Sequence, residues 1–352
     1  MNNQLITKPN LFGLTASKLK QLFTSQGLPA FTAIQLAEWM YKKRVVSFSD
    51  MTNLSVNTRK LLESNYEINL LAPTKVQTSI DGTKKYLFEA INSKFIEAAY
   101  IPDKDRATLC VSTQVGCKMG CLFCMTAKQG FQGNLSSGDI LSQLQSIPEF
   151  ELLSNIVFMG MGEPMDNIEA VLDSIEIMTS EKAYGWSPKR ITVSTIGIIP
   201  AMNTFLEKSQ AHLAVSLHSP FDDERKKIMP IQSVYPISEV IAEIKRWELG
   251  RQRRISFEYI MFKGVNDTMR HANELVRLLN GIKCRINLIK FHPIPDTALE
   301  GTTMDGIVEF QNKLKSKGLT VTIRASRGED IFAACGMLST KELLIKQQNT
   351  DF

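Results

Sequence analysis

Three of the six cysteines in this 352-residue chain lie close together, at Cys117, Cys121 and Cys124, with the spacing C-x3-C-x2-C. A structural zinc site normally has four ligands in paired groups, and the sequence offers no second C-x2-C or H-x3-H pair. An iron–sulfur cluster is also usually bound by four thiolates, so three would leave one iron without a protein ligand. The spacing therefore favours a cluster with one open iron position over zinc. An α-amino group and a carboxylate, both present in S-adenosylmethionine, could chelate that iron.

The elements that must position these thiols form a regular alternation from residue 107 onward. Short apolar segments read TLCVSTQ, NIVFMGMG, RITVSTIG, HLAVSLH, ISFEYIMF, RINLIKFH and TVTIRAS. Stretches of helical period, such as IEAVLDSIEIMTS and ISEVIAEIKRWEL, lie between most of them. This predicts an α/β fold with parallel strands in a full or partial barrel. Chemistry in such barrels lies at the carboxyl ends of the strands, which here carry STQVGC, GMGEP, STIG, SLHS, FKGVND and FHPIP.

Two smaller units are predicted before the barrel. Residues 14–66 have apolar residues at helical spacing, and residues 74–101 contain three strand-like segments with DGTK as a hairpin turn. We therefore predict a helical N-terminal accessory domain at 1–70 and a β-hairpin extension at 71–102. The barrel follows at 103–335, with a C-terminal tail at 336–352.

Composition and charge narrow the class of protein. The chain is 43% hydrophobic and 22% charged, has no apolar run near the ~20 residues of a membrane helix, and does not begin like a secretory signal. A cytoplasmic protein without membrane association is predicted. Residues 1–60 hold eight lysines and arginines against two acidic residues, which suggests a polyanionic partner or simply a solvated face. The same two interpretations apply to a second basic cluster, formed by Lys245, Arg246, Arg251, Arg253 and Arg254.

The cysteine motif, placed after a strand and with Phe123 before its last cysteine, resembles the signature of radical S-adenosylmethionine enzymes. Further segments resemble the RlmN/Cfr group, which methylates aromatic carbons of an RNA adenine: RATLCVSTQVGCKMGCLFCMTAKQGFQGNL, FMGMGEPMDN, ITVSTIGIIPAM, SLHSP, MPI, GVND and RASRGEDIFAACG. The match covers nearly the whole chain, including the helical domain at 1–70, which the resemblance implies would contact RNA. It implies a partial (β/α)6 TIM-like radical SAM barrel and a [4Fe–4S] cluster on Cys117, Cys121 and Cys124. It also implies two molecules of S-adenosyl-L-methionine per turnover.

The resemblance gives roles to three isolated residues. Cys335 would take a methyl group from one S-adenosylmethionine. A radical from a second S-adenosylmethionine would remove hydrogen from that methyl group, and the resulting methylene radical would add to adenine. Cys110 would then attack the Cys335 sulfur, form a transient disulfide and release methylated RNA. Glu97 matches the family's proposed proton acceptor. Without the resemblance, the two cysteines would be interpreted as packed small residues and Glu97 as a solvent-facing strand residue.

The implied cofactor contacts lie at strand ends: Gly162, Glu163, Ser194, Ser216, Leu217, His218 and His292. Glu163 can accept a hydrogen bond from the cofactor's ammonium, and Gly162 lets the backbone approach the ligand. Without the resemblance, GMGEP would be a turn and each serine a cap or turn residue. His292 stands where better-known members carry Asn, and its imidazole can make one comparable hydrogen bond. Cys284 has no motif support and is predicted to lie in the core.

The resemblance implies methylation of carbon 2 of an adenosine in the peptidyl transferase centre of 23S rRNA and of the adenosine 3′ to certain tRNA anticodons. Carbon-8 methylation by the antibiotic-resistance branch is the alternative within the family, and the spacing does not decide between them. An alternative of another class is a cysteine-ligated metal protein that binds RNA without chemistry, although such a module has no use for Cys110 and Cys335. An electron donor such as flavodoxin and a monomeric state complete the expectation.

Overall fold

The computed structural model describes residues 8–248 and 253–340. The helices are α1 (Ala16–Ser25), α2 (Ala30–Ala37), α3 (Val56–Asn65), α4 (Met125–Gln129), α5 (Ser137–Gln145), α6 (Ile168–Thr179), α7 (Ile199–Lys208), α8 (Asp222–Ile228), α9 (Ile237–Arg246), α10 (Met269–Leu279) and α11 (Met304–Ser316). The strands are β1 (Pro73–Thr78), β2 (Lys84–Glu89), β3 (Phe95–Asp103), β4 (Arg106–Cys110), β5 (Gln114–Val115), β6 (Gly133–Asn134), β7 (Asn155–Phe158), β8 (Ile191–Thr195), β9 (His212–Ser216), β10 (Ile255–Met261), β11 (Cys284–Lys290) and β12 (Thr320–Arg324).

The N-terminal region contains the three predicted helices, and side chains cap the first and the third of them. The Thr15 side chain accepts a hydrogen bond from the Lys18 backbone and caps α1, and the Ser55 side chain caps α3 in the same way. Leu19 and Phe23 are fully buried on one face of α1, as the helical spacing predicted. The proposed domain boundaries remain a prediction, and residues 1–7 and 341–352 of the outer two units lie outside the described residues.

Ten strands form one sheet in the order β1-β2-β3-β4-β7-β8-β9-β10-β11-β12. The first four pair antiparallel, and the seven from β4 to β12 pair parallel through helical connections. This confirms the predicted α/β fold with a partial parallel barrel, although the parallel part has seven strands, one more than the six of a (β/α)6 barrel. The hairpin extension continues the barrel sheet. Because β4 and β12 are not hydrogen-bonded to each other, the barrel is incomplete, with a gap between its first and last parallel strands.

The barrel strands are buried because helices cover their outer face. Leu213, Ala214 and Val215 are all fully buried in succession, which is typical of a parallel strand covered on both sides. Cys284 was predicted to lie in the core, but it is half-buried and packs against the edge of the main hydrophobic core as the first residue of β11. In the described part of the chain, no helix is long and apolar enough to cross a membrane.

Candidate active site

The three clustered cysteines lie on the loop that leads from β5 into α4. Gly116 opens this loop with a φ of +71°, and a Cβ added there would lie 1.6 Å from the Gly130 carbonyl oxygen, so the turn requires glycine. Cys117 and Cys121 are buried, and Cys124 caps α4. All three line one cavity, which we call the cofactor cavity.

The thiols fit a cluster better than a single ion. Among the described residues, no group of three His, Cys, Asp or Glu is close enough to hold one metal ion. A [4Fe–4S] cluster instead needs thiolates spread around a cavity, one for each of three irons. Burial raises the pKa of Cys117 to about 12, and burial followed by the other two thiols of the motif raises the pKa of Cys121. Burial also raises the pKa of Cys124, against the opposing effect of hydrogen bonds with Ala127 and Thr126. Iron would supply the positive charge that stabilises these thiolates.

The cofactor cavity brings together most of the predicted cofactor contacts. Its lining includes Gly162, Glu163, Ser194, Ser216 and His218. Two predicted contacts are not among its lining residues. The side chain of Leu217 is fully buried in the main core. His292 lines a neighbouring cavity, where its Nε2 lies 3.0 Å from Ser326 Oγ.

Glu163 is a buried carboxylate held by the backbone. Its Oε1 accepts from the Met165 N–H and its Oε2 from the Ile196 N–H, both at 3.1 Å. Burial raises the pKa of Glu163 to about 7, because these hydrogen bonds compensate only partly for lost solvation. A ligand ammonium in the cavity would supply the missing positive charge. Gly162 has a φ of +99°, and a Cβ there would lie 2.6 Å from Gln114 Cβ.

His218 presents a neutral imidazole to the cavity. Its Nδ1 accepts from the Ile260 N–H at 3.0 Å, so a neutral ring carries its proton on Nε2. Burial and then nearby Arg225 lower the pKa of His218 to about 3, which keeps the ring neutral at physiological pH. The ring packs edge-on to Phe123 at 4.8 Å between centroids. The cysteine loop is therefore packed directly against the carboxyl end of β9.

Arg225 links the carboxyl ends of neighbouring barrel strands by hydrogen bonds, and the sequence analysis did not identify it. The side chain is fully buried, and its nitrogens donate to the carbonyls of Leu217 (3.0 Å), Ile196 (2.8 Å) and Ser216 (2.8 Å). A fourth hydrogen bond, of 2.5 Å, goes to Gln232 Oε1. The segment DDERKKI resembles an exposed charged helix, so the sequence carries no signal of this role.

A second cavity, the gap cavity, lies where β4 and β12 fail to pair. Its lining includes Cys110 from β4, Arg324 from β12, and Cys335. Cys335 and Cys124 line both the gap cavity and the cofactor cavity. Cys335 is exposed and Cys110 is buried, and both are free thiols. Burial raises the pKa of Cys110 to about 12; Cys335 raises it further, and Arg324 acts in the opposite direction.

The loop that carries Cys335 is held at both ends. The Met125 N–H on α4 donates to the Gly336 carbonyl at 2.8 Å, beside the cysteine motif. At the other end, Asp81 on the β1–β2 turn accepts from the Gly328 N–H at 3.0 Å. The predicted hairpin extension therefore braces the loop that carries Cys335, which sequence reasoning did not anticipate.

Arg324 and Glu258 are a further pair that sequence reasoning missed. Arg324 Nη1 lies 3.2 Å from Glu258 Oε2, and the arginine lines both the gap cavity and the cofactor cavity. Burial acts to lower the pKa of Arg324, but Glu258 and the two thiols hold it above its ordinary value. The signal available in the sequence was that Arg324 opens the segment RASRGEDIFAACG, although the resemblance assigned no role to this arginine.

Glu97 is buried rather than solvent-facing. It lies on β3 two residues from Ala99, whose register partner is Cys110, so Glu97 and Ala99 share a face of the sheet. Its carboxylate forms an ion pair with Lys85 Nζ at 3.0 Å and accepts from the Ser339 N–H at 3.0 Å. Glu97 is not among the residues that line either cavity, and its role as a proton acceptor stays a prediction.

The basic residues are divided between paired and open positions. Lys42 and Lys43 are exposed on the N-terminal region, and Arg44 pairs with Glu151. In the second basic cluster, Arg246 pairs with Glu243 at 3.1 Å, whereas Arg251 lies outside the described residues. Contact of either region with RNA stays a prediction.

Comparisons with known proteins match the N-terminal region and the barrel to two different families. The family described as "Ribosomal RNA large subunit methyltransferase N-terminal domain" matches residues 9–68, and "Radical SAM superfamily" matches residues 111–276. A protein of Parabacteroides distasonis named "Probable dual-specificity RNA methyltransferase RlmN" is 54% identical, over 96% of this chain and 98% of its own length. A Marinobacter nauticus protein named "Dual-specificity RNA methyltransferase RlmN" is 40% identical, over 94% and 92%. The crystal structure of a radical SAM methyltransferase from Sphaerobacter thermophilus superposes with a TM-score of 0.85 at 38% identity, over 94% and 99%.

Proposed function

The chain belongs to the RlmN family of radical S-adenosylmethionine RNA methyltransferases, and on that premise we propose that it methylates carbon 2 of adenosine in 23S rRNA and in tRNA. The rRNA target would be an adenosine of the peptidyl transferase centre, and the tRNA target the adenosine 3′ to the anticodon. RNA would be held by basic residues of the N-terminal region. An external electron donor such as flavodoxin, a monomeric state and a cytoplasmic location belong to the same proposal.

The residues of the cofactor cavity fit the two groups that this family uses. When bound, the cluster and S-adenosylmethionine supply a methyl group and a radical able to remove hydrogen from it. Cys117, Cys121 and Cys124 would hold the cluster. The Glu163 carboxylate would accept from the ligand ammonium, and His218 Nε2 would donate to a ligand oxygen or nitrogen.

The observation that carries the proposal is the position of Cys335, which lines both cavities. A sulfur that receives a methyl group must face the cofactor, and the carbon it carries must then reach the adenine. The base would occupy the gap cavity, which requires it to leave its stack in the RNA. An exposed thiol on a loop braced at both ends meets both requirements without a large movement.

We propose that Cys110 ends the reaction, and its position in the same gap cavity as Cys335 supports this role. After the radical adduct has given up its unpaired electron, which the bound cluster could accept, the Cys110 thiolate would attack the Cys335 sulfur and form a disulfide. The bond between that sulfur and the RNA methylene carbon would break, its electron pair would stay on the carbon, and this carbon would take up a proton to become the methyl group. Burial favours the protonated thiol, so this attack requires a proton acceptor. Glu97 would take the proton that leaves the adenine carbon, and it would need to separate from Lys85 or Ser339 to do so. An external reductant must cleave the disulfide before the next turnover.

The test is anaerobic turnover on unmethylated 23S rRNA fragments and tRNA, followed by nucleoside mass spectrometry. We expect 2-methyladenosine from the wild type and no methylated adenosine from Cys335→Ala. Peptide mass spectrometry should find S-methylation on Cys335 before RNA is added. Exclusive formation of 8-methyladenosine would refute the assignment to carbon 2. Binding of RNA without any product by protein with a full cluster would favour the non-catalytic alternative.

A further inference from the structure

The end of the barrel opposite the active site contains its own cavity, which we call the amino-terminal mouth. The first residues of β7, β9, β11 and β12 line it. Its lining also includes four exposed cationic side chains: Lys189, Arg254, Lys283 and Arg285. The function proposed above uses none of these residues, because barrel chemistry lies at the carboxyl ends of the strands.

The positive charge of the mouth is uncompensated. In the described part of the chain, none of its four cations forms an ion pair. Glu258 is the acidic residue of the lining, and it is already paired with Arg324 on the cavity floor at 3.2 Å. The mouth therefore attracts anions.

His212 shows that a hydrogen-bond acceptor is missing from the mouth. It is the first residue of β9, lines the mouth and is buried. Its Nδ1 accepts from the Arg254 backbone N–H at 3.1 Å, so a neutral ring carries its proton on Nε2. Nε2 lies 3.3 Å from Arg254 Nη2, which is also a donor. Burial lowers the pKa of His212 to about 4, together with the positive charges of Arg254, Arg253 and Lys189. The ring therefore stays neutral.

We propose that the amino-terminal mouth binds a phosphate group. Phosphate oxygens accept from several donors at once, so one group can take both the His212 Nε2–H and the Arg254 guanidinium. Lys283, Lys189 and Arg285 supply the remaining charge. The lining has no Phe, Tyr or Trp side chain on which a base could stack. The site is therefore specific for the phosphate, which either a small free phosphate compound or the backbone of a bound RNA can supply.

Calorimetric titration of the cluster-loaded, full-length protein with inorganic phosphate and with pyrophosphate tests this site. Saturable binding of one anion per chain is expected. Arg254→Gln and Lys283→Gln should each weaken it at least about tenfold, the value of one charge-assisted hydrogen bond. His212→Phe should weaken it similarly, whereas His212→Gln, which keeps a donor, should retain more affinity. Lys75→Gln is the matched control, since Lys75 is equally exposed on β1 and outside the mouth.

A second arm identifies the source of the phosphate. If Arg254→Gln weakens tRNA binding as much as phosphate binding, and phosphate competes with tRNA, the site holds an RNA backbone phosphate. If only phosphate binding falls, the ligand is a free phosphate compound. Far-UV circular dichroism and urea unfolding should match the wild type in every variant, which verifies folding without depending on the proposed methyltransferase activity. Absence of saturable binding of both anions, or equal binding by wild type, Arg254→Gln and Lys283→Gln, would overturn the proposal.

Discussion

Replacing Arg225 by methionine should destabilise the chain by about 3 kcal/mol. The guanidinium makes four hydrogen bonds to neutral acceptors, which tie the ends of β8 and β9 to the segment at Gln232. Hydrogen bonds to a charged group contribute roughly 1.5 kcal/mol or more each. Against this, burial lowers the pKa of Arg225 from 12.5 to about 10, a desolvation cost of roughly 3 kcal/mol. The difference between these two contributions is the expected loss of stability. Methionine removes the desolvation cost of the guanidinium, but it leaves the carbonyls without donors.

Urea unfolding followed by tryptophan fluorescence measures this loss. Arg225→Lys should fall between wild type and the methionine variant, because an ammonium has three donors and no planar fork. Arg246→Met is the control, since that exposed side chain pairs only with Glu243 and should change stability by less than about 1 kcal/mol. Affinity for S-adenosylmethionine should fall together with stability in Arg225→Met, because Ser216 lines the cofactor cavity. A loss no larger than that of the control, or a lysine variant as unstable as the methionine variant, would refute the reasoning.

Three further outcomes follow from the same cavity. Gly162→Ala should lower the free energy of unfolding by about 2–4 kcal/mol in thermal or urea unfolding, because it adds a clash with Gln114 to an unfavourable positive φ. Gly185→Ala is the control, since Gly185 has a φ of +67° and open space around it. It should cost only the strain of the positive φ, about 1–2 kcal/mol. In the cluster-free chain, the pKa of Glu163 is raised, so ionisation of its carboxyl group destabilises the fold as pH rises. Between pH 5 and 8 the free energy of unfolding of the wild type should fall by about 2.5 kcal/mol relative to Glu163→Gln. A difference between the two proteins that does not change with pH would contradict this. The pKa of His218 is lowered, so its pH dependence runs in the opposite direction and the fold loses stability as pH falls. The free energy of unfolding of the wild type, measured by urea unfolding at each pH, should fall by about 2 kcal/mol relative to His218→Gln between pH 7 and pH 5.

Periodicity was enough to predict the fold. The seven apolar segments became the seven parallel strands, because each is a short apolar run and most are separated by stretches of helical period. The hairpin was predicted from its DGTK turn, but its second role in bracing the Cys335 loop was not. That role depends on contacts between Asp81 and Gly328, which are far apart in sequence and carry no local pattern.

The candidate site was predictable where motifs mark it and not elsewhere. The C-x3-C-x2-C loop and GMGEP meet in one cavity, since both follow strands at the same end of the barrel. His292 lines the gap cavity rather than the cofactor cavity, because its strand lies beside β12 at the open edge. Arg225 and Arg324 were missed because a buried arginine has the same appearance in a sequence as an exposed one.

The most direct test of the central claim is the fate of RNA on the Cys110→Ala variant under anaerobic conditions with a full cluster. If Cys335 carries the methyl group to adenine and Cys110 releases it, this variant should stop as a covalent protein–RNA adduct. Denaturing electrophoresis and mass spectrometry would place the crosslink on Cys335, and the Cys110→Ala, Cys335→Ala double variant should form none. Free methylated RNA from Cys110→Ala, at a rate near that of the wild type, would contradict the account.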